Sequence, residues 1–349
     1  MNHALRLAAA ALAAMAIFPG AVRAQVPAAI AECAAIASDA ERLACYDRAS
    51  GRGPAAVPAP APAKLPEPPS AVGDTGAQAA AGALRAPASL IDAAWGFEPG
   101  SSRYAIDLYN QNYLLFARYT NDLNTAPYVP LFQAAGKPVN LDDVEAKFQL
   151  SFKFRLWTTD DRRWGVWAAY TQQNQWQVYN GDTSRPFRET NYMPELFVSY
   201  RPGLDLGGGF QWNLLNVGYN HQSNGRTDIL SRSWDRIVAT FGIERGDFAL
   251  LAKVWYPFNY KEDNPDITDY YGYGSLTAIY KWRGHSFSLM GRGNLSKGKG
   301  AAELTWMSPR LLGPLRAYVQ AFSGYGESMI DYNWNQTTIG AGVSLNDAL

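Results

Sequence analysis

A histidine, a serine and an aspartate near the middle of the chain have the types and spacing that acyl transfer requires. Between Leu215 and Gly225, Leu215, Val217 and Tyr219 share one face of an extended strand. His221 and Ser223 continue that face, because residues two apart point the same way. The next stretch, SRSWDRIVATFGI, puts Asp235 in phase with Ile237, Ala239, Phe241 and Ile243. A hairpin whose paired residue numbers sum to 456 sets His221 opposite Asp235, Ser223 opposite Ser233 and Gly225 opposite Ser231. His221 could then take the Ser223 Oγ proton while Asp235 fixes its tautomer and stabilises the imidazolium, giving the nucleophile, base and orienter of ester hydrolysis. A neutral-pH base has few other candidates: His3 falls in the leader described below, and His285, in KWRGHSF, is expected at a solvated turn.

These residues need rigid extended elements, and the surrounding sequence supplies them. VEAKFQLSFKFRLW places Val144, Ala146, Phe148, Leu150, Phe152 and Phe154 on one face, and Glu145, Lys147, Gln149, Ser151, Lys153 and Arg155 on the other. TTIGAGVSL near the end alternates in the same way. Similar stretches near Tyr113, Trp164, Tyr192, Phe210, Trp234, Phe248, Tyr273, Phe287, Leu304 and Tyr318 bring the count to about twelve. The expected fold is all-β, an antiparallel transmembrane β-barrel of about 12 strands over residues 102–349, apolar outside and polar within. Such a barrel could also be a passive small channel or an inert structural barrel. A channel needs its polar groups in the lumen, whereas His221, Ser223 and Asp235 are phased outward toward lipid, where an ionisable group calls for a function. Gln172 shares an apolar-facing phase with Val166, Ala168, Tyr170 and Trp176, and pairing with the same amide of a second copy would satisfy it.

Composition divides the chain. Of its 46 aromatic residues only Phe18 and Tyr46 precede Trp95, and charged residues make up 18%, below the roughly 25% of ordinary soluble domains. The 31 basic and 31 acidic residues cancel, so no basic surplus supports a nucleic-acid partner. Residues 1–24, with Arg6 before an apolar run and a small-residue end, read as a secretory signal peptide. Residues 25–50 hold Cys33 and Cys45 in a helix-favouring context, where an intrachain disulfide is expected after export. The segment 51–101, rich in Pro and Ala, reads as an extended linker. GNLSKGKG at 293–300 mimics a phosphate-binding loop but lacks the Ser/Thr after Lys299, and reads as a turn.

Tyr219-Asn-His-Gln-Ser-Asn-Gly225 with Ser231-Arg-Ser-Trp-Asp-Arg236 resembles the catalytic signature of the outer-membrane phospholipase A family. Pro186-Phe-Arg-Glu-Thr-Asn-Tyr192, Asp263-Asn-Pro-Asp-Ile-Thr268, Ser323-Gly-Tyr-Gly-Glu-Ser328 and Ile330-Asp-Tyr-Asn333 extend the resemblance from about Asn112 to the C-terminus, in the family's order. The resemblance implies a calcium-dependent enzyme of the bacterial outer membrane, active as a homodimer on the sn-1 and sn-2 acyl esters of phospholipids, and on lysophospholipids. It makes Ser223 the nucleophile, His221 the base and Asp235 the orienter. It puts Ca2+ on the Arg226 carbonyl and Ser231 hydroxyl, joined across the dimer by Ser184, with the Gly225 N–H at the oxyanion. Asp228 and Asp263 resemble ligands of a second, weaker calcium position, and Gln172 is placed at the dimer interface. One departure is that the best-known members carry Asn where this chain has Asp235. A carboxylate still accepts the imidazole N–H but alters the charge beside it.

Overall fold

The computed structural model describes residues 32–33, 35–49 and 89–349. The expected signal peptide and most of the expected linker lie outside these residues. The chain divides into two units, Met1–Gly82 and Ala83–Leu349. In the first, helix α1 (Asp39–Ala49) is tied by a disulfide between Cys33 and Cys45, with Cα atoms 5.6 Å apart, as the two cysteines predict.

The second unit is built from long antiparallel strands. They are β1 (Tyr113–Thr120), β2 (Val144–Thr158), β3 (Trp164–Trp176), β4 (Phe187–Tyr200), β5 (Phe210–Ser223) and β6 (Ser233–Arg245). The series continues with β7 (Phe248–Phe258), β8 (Gly274–Trp282), β9 (His285–Asn294), β10 (Lys299–Leu312), β11 (Leu315–Tyr325) and β12 (Asn335–Ser344). Each pairs with its sequence neighbours, and β12 pairs back onto β1, so twelve strands close into a barrel without a free edge. Two short segments, Ile106–Leu108 and Leu204–Gly207, add to β2 and β5. The 293–300 stretch is the β9–β10 turn, as expected.

Alternation sorts the side chains. Glu145, Lys147, Ser151, Lys153 and Arg155 of β2 are buried inside, while Val144, Leu150, Val217, Ile237, Phe241, Leu289 and Leu304 face outward and are exposed. Trp157, Trp164, Tyr280 and Trp282 band one end, and Tyr119, Phe187, Tyr256 and Tyr273 band the other, forming aromatic girdles. Short turns join strands at the Trp end, while the opposite end carries the long connections 121–143, 177–186, 224–232, 259–273 and 326–334.

The lumen is filled with paired side chains. Arg118 bonds Glu145 at 2.7 Å and Glu327 at 2.9 Å, Lys147 bonds Glu327 at 3.0 Å, and Arg188 bonds Glu145 at 2.9 Å and Asp331 at 3.2 Å, all of them buried. Burial alone would raise the Glu327 carboxyl, but Arg118 and Lys147 outweigh it and hold that group well below the usual carboxylate range.

Near the short-turn end the lumen holds helix α2 (Leu90–Trp95), which shortens the linker expected over 51–101. Ser89 caps it by accepting from Asp92 N at 2.9 Å, and Ile91 N–H donates to Glu244 at 3.0 Å. Ile91 and Trp95 pack on Trp167, Phe197 and Leu214. Gly96 ends the helix at φ +60, and a Cβ there would strike Arg155. The Ser89-x-x-Asp92 cap before an apolar pair was the available signal for this helix.

Candidate active site

The β5–β6 hairpin pairs in the register the sequence predicts. His221 lies opposite Asp235 and Ser223 opposite Ser233. The ladder continues through Asn224 N–H to Arg232 O at 3.0 Å and then opens, so Gly225 and Ser231 leave it instead of pairing. Inward neighbours Asn220, Trp234 and Arg236 are buried, which fixes His221, Ser223 and Asp235 on the outward face, within a few residues of the long-connection end.

His221 Nδ1 meets Asp235 Oδ1 at 2.8 Å. The same oxygen accepts from Tyr219 Oη at 2.6 Å, and Asp235 Oδ2 accepts from Asn259 Nδ2 at 2.9 Å. The His221 and Asp235 side chains are 35% and 14% exposed, so the pair is partly shielded while the imidazole keeps a free edge. Ser223 is half-buried on the same face, and among the described residues no hydrogen bond links its Oγ to His221. Such contacts tighten when substrate binds.

Beyond the ladder, Asn224 organises the connection. Its Nδ2 donates to Leu230 O at 2.8 Å, and its Oδ1 accepts from Arg226 N at 3.3 Å and Arg232 N at 3.0 Å. This turn holds Gly225 at φ +63, where a Cβ would lie 2.9 Å from the Tyr192 ring. Among the described residues the Gly225 N–H, the Arg226 carbonyl and the Ser231 hydroxyl make no hydrogen bond, leaving one donor and two hard oxygen acceptors for a ligand. Gly225 and Arg226 edge a cavity of about 450 Å³ also lined by Leu131, Tyr192 and Ile229. Ser184 sits exposed in a turn at φ +62. Asp228 is exposed at φ +54, and Asp263 accepts from Ser233 Oγ at 2.6 Å.

Comparison with known proteins identifies the family. The phospholipase A1 family profile matches residues 95–345. The chain belongs to the phospholipase A1 family. Phospholipase A1 of Escherichia coli K12 is 43% identical over 242 residues, covering 68% of this chain and 81% of its own length. The Klebsiella pneumoniae enzyme is 42% identical over 244 residues, covering 68% and 82%. A Neisseria meningitidis serogroup B relative is 36% identical over 350 residues and covers 90% of each chain. The solved structure of E. coli outer membrane phospholipase A aligns with a TM-score of 0.65 at 40% identity, covering 69% of this chain and 94% of that one. That of a Salmonella typhi outer membrane phospholipase dimer with bound calcium aligns at 0.67 and 37% identity, covering 76% and 100%. A further E. coli structure is of an active-site mutant with an asparagine replaced by alanine. This protein is therefore a phospholipase carried on an outer-membrane β-barrel.

In this phospholipase the reading of His285 needs correction. His285 is not a solvated turn residue: it stacks on Trp282 and Trp306 at 5.9 Å each, and its Nδ1 accepts from Trp306 Nε1 at 3.3 Å. Gln172 uses one acceptor and one donor position of its amide within its own strand, which leaves a second N–H for a partner. It accepts from Tyr170 Oη at 2.9 Å and donates to Asn174 Oδ1 at 3.0 Å. Two residues at the site were missed. Tyr219 shares the phase of His221 and could have been found from it. Asn259 lies beyond β7, and only the β6–β7 register, with Asp235 opposite Phe258, brings it near.

Proposed function

We propose that this phospholipase cleaves sn-1 and sn-2 acyl esters, and those of lysophospholipids, through Ser223, His221 and Asp235, with calcium and a second copy completing the site. The observation that carries this reading is the 2.8 Å His221–Asp235 bond on the lipid-facing wall, with Ser223 two residues along the same face. An ester approaching from the bilayer meets that wall and not the filled lumen, which argues against the channel alternative.

The Ser223 hydroxyl gives its proton to His221 Nε2 as Oγ bonds to the acyl carbonyl carbon. Asp235 keeps the Nδ1 proton in place and stabilises the imidazolium. The tetrahedral adduct puts negative charge on the carbonyl oxygen, where the Gly225 N–H is the available donor. Collapse breaks the bond to the glycerol oxygen, which takes the proton from His221 and leaves as lysophospholipid. Water, deprotonated by His221, then releases the fatty acid from Ser223.

The Arg226 carbonyl, the Ser231 hydroxyl and Ser184 of a second copy would hold calcium, and the uncommitted oxygens of the first two suit a hard cation. When bound, calcium supplies positive charge for the developing oxyanion. Asp228 and Asp263 would form the weaker second position. The dimer reading rests on the family resemblance that joins Ser184 across the dimer, on the calcium-bound dimer of the Salmonella typhi relative, and on the Gln172 amide, which keeps an uncommitted N–H in one copy. Varying calcium and the protein-to-detergent ratio independently, while measuring crosslinked dimer and fatty-acid release, tests the activation. Full turnover by a verified calcium-free monomer would overturn it.

A further inference from the structure

Asp235, on β6, is held by donors from the two neighbouring strands or their ends. Tyr219 Oη and His221 Nδ1, from β5, share its Oδ1, and Asn259, the first residue past β7, takes Oδ2 at 2.9 Å. The torsion that turns a carboxylate about its Cβ–Cγ bond is soft, so two donors on one oxygen leave the plane free to swing. The Asn259 amide supplies the second anchor. Its backbone stands at φ +50, a left-handed conformation that Asn tolerates better than most residues, and this turn carries the amide back across the β6–β7 pair onto Asp235.

From this arrangement we infer that Asn259 is a positioning residue for ester hydrolysis: it fixes the plane of the Asp235 carboxylate, and through it the His221 ring. The inference rests on the proposed triad. An amide at 259 is also ambivalent. Its Nδ2 serves a carboxylate at 235, and after a flip its Oδ1 serves the N–H of an asparagine there. An aspartate at 259 matches only the asparagine, because facing Asp235 it sets two like charges about 3 Å apart.

The test uses the full-length protein in detergent, with heat-resistant electrophoretic mobility as the folding check. Asn259→Gly removes the amide while tolerating positive φ, and kcat should fall about ten-fold with KM unchanged. Asn259→Asp should fall at least as far. Adding Asp235→Asn to Asn259→Asp should restore kcat to the level of Asp235→Asn alone, a reciprocal rescue that loss of local packing would not give. Wild-type kcat in Asn259→Gly, or a double variant no more active than Asn259→Asp, would overturn the inference. If Asn259→Gly does not fold, the swap pair decides. Ser223→Ala run alongside separates the two readings: turnover there sinks the triad, whereas a dead Ser223→Ala with an unaffected Asn259→Gly sinks this inference alone.

Discussion

In the lumen, Glu327 and Glu145 meet Arg118, Lys147 and Arg188 in fully buried ion pairs; on the outer wall, Asp235 meets Tyr219, His221 and Asn259 in a partly exposed cluster. Both place carboxylates among donors on barrel strands and their connections. In the lumen each of the two carboxylates faces cations, and the pairs are shut away from water and lipid. On the wall, the Ser223 hydroxyl and the far nitrogen of His221 have no partner among the described residues. Matched, buried charge gives the barrel its specific interior, while spare hydrogen-bonding capacity at a lipid boundary gives it chemistry.

The largest effect should come from the wall. Ser223→Ala and His221→Ala should each lower ester release about a thousand-fold or more, with the heat-resistant barrel retained, because they remove the reacting groups and little packing. Fatty-acid release read beside electrophoretic mobility checks both halves of that statement.

The lumen should behave in the opposite way. Glu327→Gln leaves buried Arg118 and Lys147 facing a neutral amide, and should cost about 3 to 5 kcal/mol of stability as removal of one buried partner does, with Ser223 still reactive in the molecules that remain folded. The pH dependence follows from the depressed Glu327 carboxyl. Its folded value lies below its unfolded one near 4.3, so its contribution is complete above that pH and is lost as pH falls toward the folded value. Urea unfolding at a series of acid pH values should show this loss in the native protein and a shallower one in Glu327→Gln.

Asp235 sharpens the comparison at intermediate size. Asp235→Asn should retain activity within roughly ten-fold, because the amide oxygen still accepts from His221, whereas Asp235→Ala should fall much further. Equal and complete loss in both would contradict an orienting role. In calcium titrations of activity, Ser231→Ala should shift the midpoint more than Asp263→Asn, whose carboxylate is already engaged by Ser233. The smallest effect belongs to the second histidine. His285→Phe preserves the stack between Trp282 and Trp306 and should leave turnover within about two-fold of native, measured in the same assay.

How much of this was legible in the sequence depends on the range of the interaction. Period-two alternation located all twelve strands, because burial on one face of a strand is written into consecutive residues. The same phase put His221, Ser223 and Asp235 on the outer wall, and the pairing of two strands consecutive in sequence fixed their register, so this part of the site is local information. The cysteine pair and the closing turns were local as well. Tertiary structure decided the rest. Helix α2 folds into the lumen because Glu244, Arg201 and the Trp167–Phe197 cluster receive it, and none of these is near it in sequence. Gln172 also meets Tyr170 and Asn174 along its own strand, since long side chains two residues apart can reach one another there, a matter of rotamer and not of pattern. His285 left its expected turn for a stack assembled from neighbouring strands. Asn259 reached Asp235 only through strand pairing and a left-handed residue. Alternation states which face a side chain takes, but which neighbour it meets on that face is set by register, closure and reach across strands.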